Sequence, residues 1–196
     1  MSGPCERFAS VKIVSYQDFG AAFIDEAVTS RRIEDAVLAV AGSVIEVGPM
    51  GVGPGDAASV IAKGAIGTPT ARPKASEADG TRCFVVSIPV DLHLSVKVAG
   101  TVHRFEAGIV VRLQLTVHTA LEPLSLVIDI APPEVFEMEV DVRSTGITAK
   151  VLGRLGNIDG KIRKEVVGFI SERLQSPDAQ AATMINIADH IEAVWK

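Results

Sequence analysis

From Phe84 onward, hydrophobic and polar residues alternate along the chain in long regular runs. Ile88, Val90, Leu92, Leu94, Val96 and Val98 occupy one phase, and Ser87, Pro89, Asp91, His93, Ser95 and Lys97 the other. Successive side chains of a strand point to opposite faces, so this spacing predicts a half-buried strand about 45 Å long. Ile109, Val111, Leu113, Leu115 and Val117 repeat the pattern against Val110, Arg112, Gln114, Thr116 and His118. Leu124, Leu126, Ile128 and Ile130 make a third run, and Phe136, Met138, Val140 and Val142 a fourth, the last set against Glu137, Glu139, Asp141 and Arg143. Gly100, Gly108, Pro123 and Pro132-Pro133 punctuate the series, which predicts an antiparallel meander with one apolar face.

The flanks change period. Phe19, Phe23, Ala27, Ile33, Val37 and Ala41 fall at helical spacing behind Ser15 and Asp18, a capping-box pair. They predict one long helix over Tyr16 to Ala41, about 38 Å in length, stopped by Gly42. Val44 to Met50 reads as a short strand, residues 51–55 as a turn, and Ala58 to Ile66 as a strand weakened by Gly64. Residues 67–81 have no periodicity and two prolines, as expected of a mobile loop. Ile158, Ile162, Val166, Phe169, Ile170 and Leu174 predict a C-terminal helix capped by Asn157 or Asp159 and broken by Pro177. Beyond it come a short strand at Met184 to Ile187 and a helical turn at Asp189 to Trp195. The expected fold is α+β: a strongly curved antiparallel sheet around a long N-terminal helix, with a second helix at the C-terminus.

Composition sharpens this picture. The 196 residues are 47% hydrophobic but only 5% aromatic, with a mean hydropathy of +0.32. The length suits a single domain over 1–196, with a polar lead at 1–15 and a tail at 177–196 packed on it. No window of about 18 uninterrupted apolar residues is present, which excludes an ordinary membrane-spanning helix. Met1 to Phe19 carries Glu6, Arg7, Lys12 and Asp18 and has no apolar signal-peptide core, so a cytoplasmic protein is expected. A net charge of −5 and a pI of about 5.4 argue against nucleic acid as a partner. Cys5 and Cys83 form no framework and read as reduced thiols.

Candidate chemistry is sparse. After Gly51 and Gly53, Asp56 stands where a dinucleotide-binding fingerprint needs its third glycine. Gly160-Lys161 precedes a helix as in a phosphate loop, but Leu155 and Ile162 occupy the other two motif positions. No nucleophile motif surrounds any serine, and nothing in sequence couples Cys83 to a base. The histidines His93, His103, His118 and His190 lack metal-ligand spacing. His93 and His118 lie on the polar phase of different strands, where neighbouring imidazoles in a three-histidine site are conceivable; solvated surface histidines are the plainer expectation. No metal, cofactor or enzymatic activity is therefore assigned. Glu134, Glu137, Glu139 and Asp141 read as a solvated face that discourages edge aggregation. Lys150, Arg154, Lys161, Arg163 and Lys164 form a basic group, against Asp159 alone, that could meet an anionic headgroup or a membrane surface.

A long aliphatic sheet face needs a cover. Two helices would give an ordinary solid core, whereas a sheet curved around a helix could enclose an elongated apolar lumen. Burial contributes about 0.8 kcal/mol per methylene, so an acyl chain can be held there without a charged clamp. The order of a long helix running into VAGSVIEVGPMGVGPG, then alternating strands, then GNIDGKIRKEVVGFISERL resembles the tubular lipid-binding superfamily, which includes bactericidal/permeability-increasing protein and synaptotagmin-like lipid-binding domains. The resemblance spans most of residues 16–174 and implies a curved sheet around a helix with lipid inside; it carries over no individual binding residue. The expectation is a non-enzymatic carrier of a lipid or other long apolar ligand, lined by Phe19, Phe23, Ile88–Val98 and Ile109–Val117. The alternative is a structural or adaptor module with a fully packed core that acts through protein contacts, including homo-oligomers. A helix-grip enzyme would need polar groups converging inside the cavity, for which the sequence offers few candidates.

Overall fold

The computed structural model describes residues 12–42, 44–75, 81–133, 138–143 and 158–194. Its elements are α1 (Tyr16–Ala27), α2 (Ser30–Ala41), β1 (Val44–Val52), β2 (Ala58–Ile66), β3 (Thr70–Lys74), β4 (Thr81–Val98), β5 (Thr101–Leu121), β6 (Leu124–Ala131), β7 (Glu139–Arg143), α3 (Ile158–Leu174), α4 (Pro177–Ala182), β8 (Met184–Asn186) and α5 (Ile187–Val194). The fold is α+β, with a strongly curled antiparallel sheet shaped as a half-barrel.

The alternating residues build its centre. Strands β4 and β5, 18 and 21 residues long, pair continuously from Thr81↔His118 to Val98↔Thr101. Opposed residues share a face, so Ile88↔Val111, Val90↔Ile109 and Val86↔Leu113 unite the two apolar rows on the inner side, where all are buried. Ala99 and Gly100 both take positive φ (47° and 88°), the signature of a two-residue type I′ turn whose twist matches the strands. On β2, Ala58, Ala62 and Gly64 stand inward, and such small residues leave room on a tightly concave surface. A Cβ on Gly64 would overlap the Asp91 carbonyl oxygen and the Leu92 side chain, so β2 reaches this closeness only with glycine.

The sheet order is β1-β2-β4-β5-β6-β8, with β3 also on β4 and β7 also on β5. Each edge of the central hairpin is therefore tiled by two shorter strands laid end to end. On β4, β2 covers Val90–Val98 and β3 covers Cys83–Ser87; Pro89 falls in the seam between them, where its missing N–H breaks no ladder bond. Its carbonyl oxygen accepts from the Gly67 N–H at 2.8 Å. On β5, β7 covers Glu106–Val110 and β6 covers Gln114–Leu121. The fourth alternating run thus returns to β5 instead of extending a simple meander past β6. Strand β5 is long enough to take two partners on one edge. Of that run, Phe136 and Glu137 lie outside the described residues, as does Glu134 before it.

The single long N-terminal helix is corrected to two helices of 12 residues each. The β-branched pair Val28-Thr29 favours the break. Thr29 caps α2 by accepting from the Arg32 N–H, while Arg32 Nη1 donates to the carbonyl oxygens of Glu26 (3.0 Å) and Ala27 (3.1 Å), which α1 leaves free at its end. The break separates the apolar stripe: Ile33 and Val37 of α2 are buried, whereas α1 has no buried residue. The expected mobile loop at 67–81 contains β3, whose Ala71 N–H donates to Glu34 Oε1 of α2 at 2.7 Å. With a single small buried residue and Pro73, this edge strand has no periodicity to detect. The turn expected at 51–55 is shifted, because β1 runs to Val52 and a short 3-10 turn follows at Pro54–Asp56. Helix α3 buries Ile162 and Val166 in the core, and β8 ties the tail to the sheet by pairing with Ser125–Val127.

Substitution Gly64→Ala is expected to lower unfolding free energy by about 2 kcal/mol, as overpacking against a fixed backbone does. Substitution Ala99→Gly should raise it by about 1 kcal/mol by relieving the left-handed alanine. Urea unfolding, read as a shift in midpoint at unchanged slope, checks both.

Candidate functional site

Two apolar spaces adjoin the inner face. The first is a small space of about 60 Å³ between the sheet and the helices. Its walls are Ile33, Val37 and Val40 of α2, Ile88 and Val90 of β4, Leu113 and Leu115 of β5, Ile128 and Ile130 of β6, and Phe169 and Ile170 of α3. Arg173 stands at its margin but donates Nε–H to the Val40 carbonyl oxygen at 3.0 Å. Ligand cavities run from about 300 Å³ upward, so this void is a packing gap between helices and sheet. Leu92, Leu94, Val96, Ile109, Val111 and Val117 are buried in the core and do not line it, and Val98 is half-buried.

The second space is an open groove of about 810 Å³ where the half-barrel ends. One wall is α1, with Tyr16, Gln17, Phe19, Gly20, Phe23 and Ile24. The facing wall is α5, with Ile187 and Ile191, and the floor is made by Thr81, Arg82, Thr119, Ala120, Leu124 and Ser125 at the strand ends. Tyr16 is 97% exposed, Phe19 62% and Ile191 48%, far more than such side chains show in a core. Phe19 and Phe23, four residues apart on one helical face, stack with centroids 6.5 Å apart. Thr119 and Leu121 continue the buried row of Leu113, Leu115 and Val117 on β5, so the inner face runs out from under its helices into the groove. Leu121, at 80% exposure, marks its end.

Polar groups in the groove are mostly engaged. Arg82 forms an ion pair with Asp25 of α1. Ser125 is buried and donates its hydroxyl to the Pro123 carbonyl oxygen at 3.0 Å. Beside the groove, Asp25, Lys74, Cys83 and Phe84 help line a hollow of about 280 Å³, and the half-buried Cys83 Sγ lies 3.8 Å from Thr116 Oγ1.

The expected site residues therefore divide. The rows on β4 and β5 come together as core, Phe19 and Phe23 line the groove, and the basic group is not assembled among the described residues. Lys161 Nζ donates to the Gly51 carbonyl oxygen and sits 3.2 Å from Asp56 Oδ1, fastening α3 to the β1–β2 turn. Arg163 Nε is buried with no hydrogen-bond partner among the described residues, and Lys164 is exposed. Lys150 and Arg154 lie outside the described residues.

The histidine neighbourhood is not formed. His93 opposes Glu106 and His118 opposes Thr81, which separates them by about 40 Å along the ladder. His103 opposes Val96 and so stands on the other face of the sheet. Alternation reveals which face a residue takes but not its height along the strand; the hairpin turn sets that. No group of His, Cys, Asp and Glu suited to a metal ion occurs among the described residues. Tyr16, Leu124, Ile187 and Ile191 are groove residues that the sequence does not single out, because an exposed apolar residue there looks the same as a buried one.

Among the described residues no helix is long and apolar enough to cross a membrane. No protein-family model matches the chain, and comparison with curated proteins gives no match. Stoichiometric zinc is expected to leave the imidazole NMR signals of His93, His103 and His118 in place; a shift shared by two of them would contradict the separation above.

Proposed function

We propose that the protein binds a lipid or other long apolar ligand without chemical conversion, in the groove between α1 and α5. One observation carries this: an apolar groove of about 810 Å³, open to solvent and continuous with the inner face of the sheet. Its volume lies in the range of small-molecule sites, and its walls offer apolar area with few directional groups. Each ligand methylene buried there contributes about 0.8 kcal/mol, enough for a chain of a dozen carbons to be retained with only part of its length covered. Hydroxyls, one amide and a paired arginine are suited to orienting a ligand; they do not join a nucleophile to a base.

The proposal includes the relationship to the tubular lipid-binding superfamily, supported by the strongly curled antiparallel sheet with an aliphatic inner face. Residues of α2 and α3 pack with those of the inner face, and the proposed guest sits at the end of the half-barrel instead of along a central tube. A cytoplasmic carrier that visits membrane surfaces peripherally completes the proposal.

The small size of the space between sheet and helices, about 60 Å³, favours a second function. A core with so little free space and one exposed apolar end also suits an adaptor whose groove residues join another protein or a second copy of this chain.

Native mass spectrometry after incubation with fatty acid, fatty alcohol and phospholipid separates the two. The expected result is a retained apolar ligand, with Phe19→Asp lowering affinity about tenfold by placing a charge against the chain. No uptake, together with a size that grows with concentration in light scattering, would establish the adaptor instead.

A further inference from the structure

Exposed apolar side chains crowd around the open groove. Of the fourteen large hydrophobic residues exposed among the described residues, Tyr16, Phe19, Phe23, Leu124 and Ile191 line it. Four more stand on the same stretches of chain or in register with them. Ile13 and Val14 directly precede α1, Leu121 opposes Leu124, and Ile185 opposes Leu126 next to the groove-lining Ser125. The other five are dispersed, one each on α2, β1, β2, β5 and β8. Soluble proteins seldom gather apolar surface at one place unless something covers it.

Charge and chemistry point to the cover. The rim stretches 12–24, 119–126 and 183–194 carry one lysine, Lys12, against the exposed carboxylates of Asp18, Glu122, Asp189 and Glu192. Lys161 and the exposed Lys164 of α3 stand far from this rim. Lys161 fastens its helix to the β1–β2 turn, whose Ala58 opposes Val98, and Val98 is roughly 55 Å along β4 from Thr81 on the groove floor. The α3 lysines are therefore too distant to draw the rim to anionic lipid, and the rim carboxylates oppose its approach. Tyr16 joins an apolar ring to a hydroxyl and is almost fully exposed, which suits the headgroup level of a bilayer. The rim residues come from separate elements around an opening. A fluid lipid surface admits such side chains without a partner matched to their shape.

Resting on the apolar-ligand function proposed above, we infer that this rim seats the protein on a neutral, zwitterionic lipid surface. Tyr16 lies at headgroup level, with Ile13, Phe19 and Leu121 in the outer acyl layer, and the guest passes between bilayer and groove without crossing water. Apolar insertion holds the protein there, and anionic lipid weakens the contact.

Flotation of the full chain with phosphatidylcholine vesicles, with and without phosphatidylglycerol, tests this beside native mass spectrometry of dodecanol uptake. The protein is expected to float with phosphatidylcholine, several-fold less with phosphatidylglycerol present at low salt, and to recover as salt rises. Ile13 is 85% exposed and does not line the groove, so Ile13→Asp is expected to weaken vesicle binding about tenfold while leaving dodecanol uptake unchanged. Tighter binding to the phosphatidylglycerol vesicles, or flotation undisturbed by Ile13→Asp combined with Leu121→Asp, overturns the seating. Dodecanol uptake without flotation also overturns it and leaves the ligand function standing. Flotation without uptake supports the seating and overturns the ligand function. A size that grows with concentration, together with no flotation, gives the rim to a second copy of the chain and overturns the seating.

Discussion

The backbone ladder between β4 and β5 is the constraint on which the rest depends. It runs from Thr81↔His118 to Val98↔Thr101 and closes on a turn of two residues with positive φ. A turn this short admits one register, and the two apolar rows meet only in that register. A slip of one residue would carry one row to the solvent face. Sheet edges, helix positions and the exit of the inner face at one end all follow from this hairpin. The helices seal the face where Ile162, Val166, Ile33 and Val37 reach it and leave Thr119, Leu121 and Leu124 beyond their cover.

What the sequence shows and what it hides have physical causes. Alternation at Phe84–Val98 and Ile109–Val117 discloses the strands and their buried faces, because burial on one face of a sheet imposes a period of two residues. Helical spacing at Ile158–Leu174 discloses α3 in the same way. The break at Val28-Thr29 is hidden, since Phe19, Phe23, Ile33 and Val37 keep helical spacing across it although the two halves pack differently. Strand β3 is hidden because it buries only Ala71. Most of the groove is hidden because it is assembled from the ends of distant elements. Phe19 and Phe23 stand out as apolar, but nothing local shows that they look across open space toward Ile191.

The same separation of α1 from α2 explains why the exposed apolar surface is concentrated. An unbroken helix would carry the stripe of Phe19 and Phe23 on from that of Ile33 and Val37. Capped at Thr29 and held by Arg32, the two helices are separate, and α1 forms one wall of the groove with its rings exposed there. A second tie, from Lys161 to the β1–β2 turn, fixes α3 at its own start. Arg32, Lys161 and Arg173 thus each hold a helix in place, and the groove walls are mainly apolar.

The seam at Pro89 has a mechanical consequence. Strands β2 and β3 meet beside Ile88-Pro89, and β7 and β6 meet beside Val111–Leu113. Ile88 faces Val111 and Pro89 faces Val110, so the two seams lie at one height across the sheet. At that height, among the described residues, no strand residue is in register beside β4 and β5, and the Gly67–Pro89 hydrogen bond alone bridges the β2–β3 seam. Bending stiffness grows with the number of strands crossing a line, so a sheet paired this way is expected to flex most easily at that line. On one side of it lie β1, β2 and β7; on the other lie β3, β6, β8 and the strand ends that floor the groove.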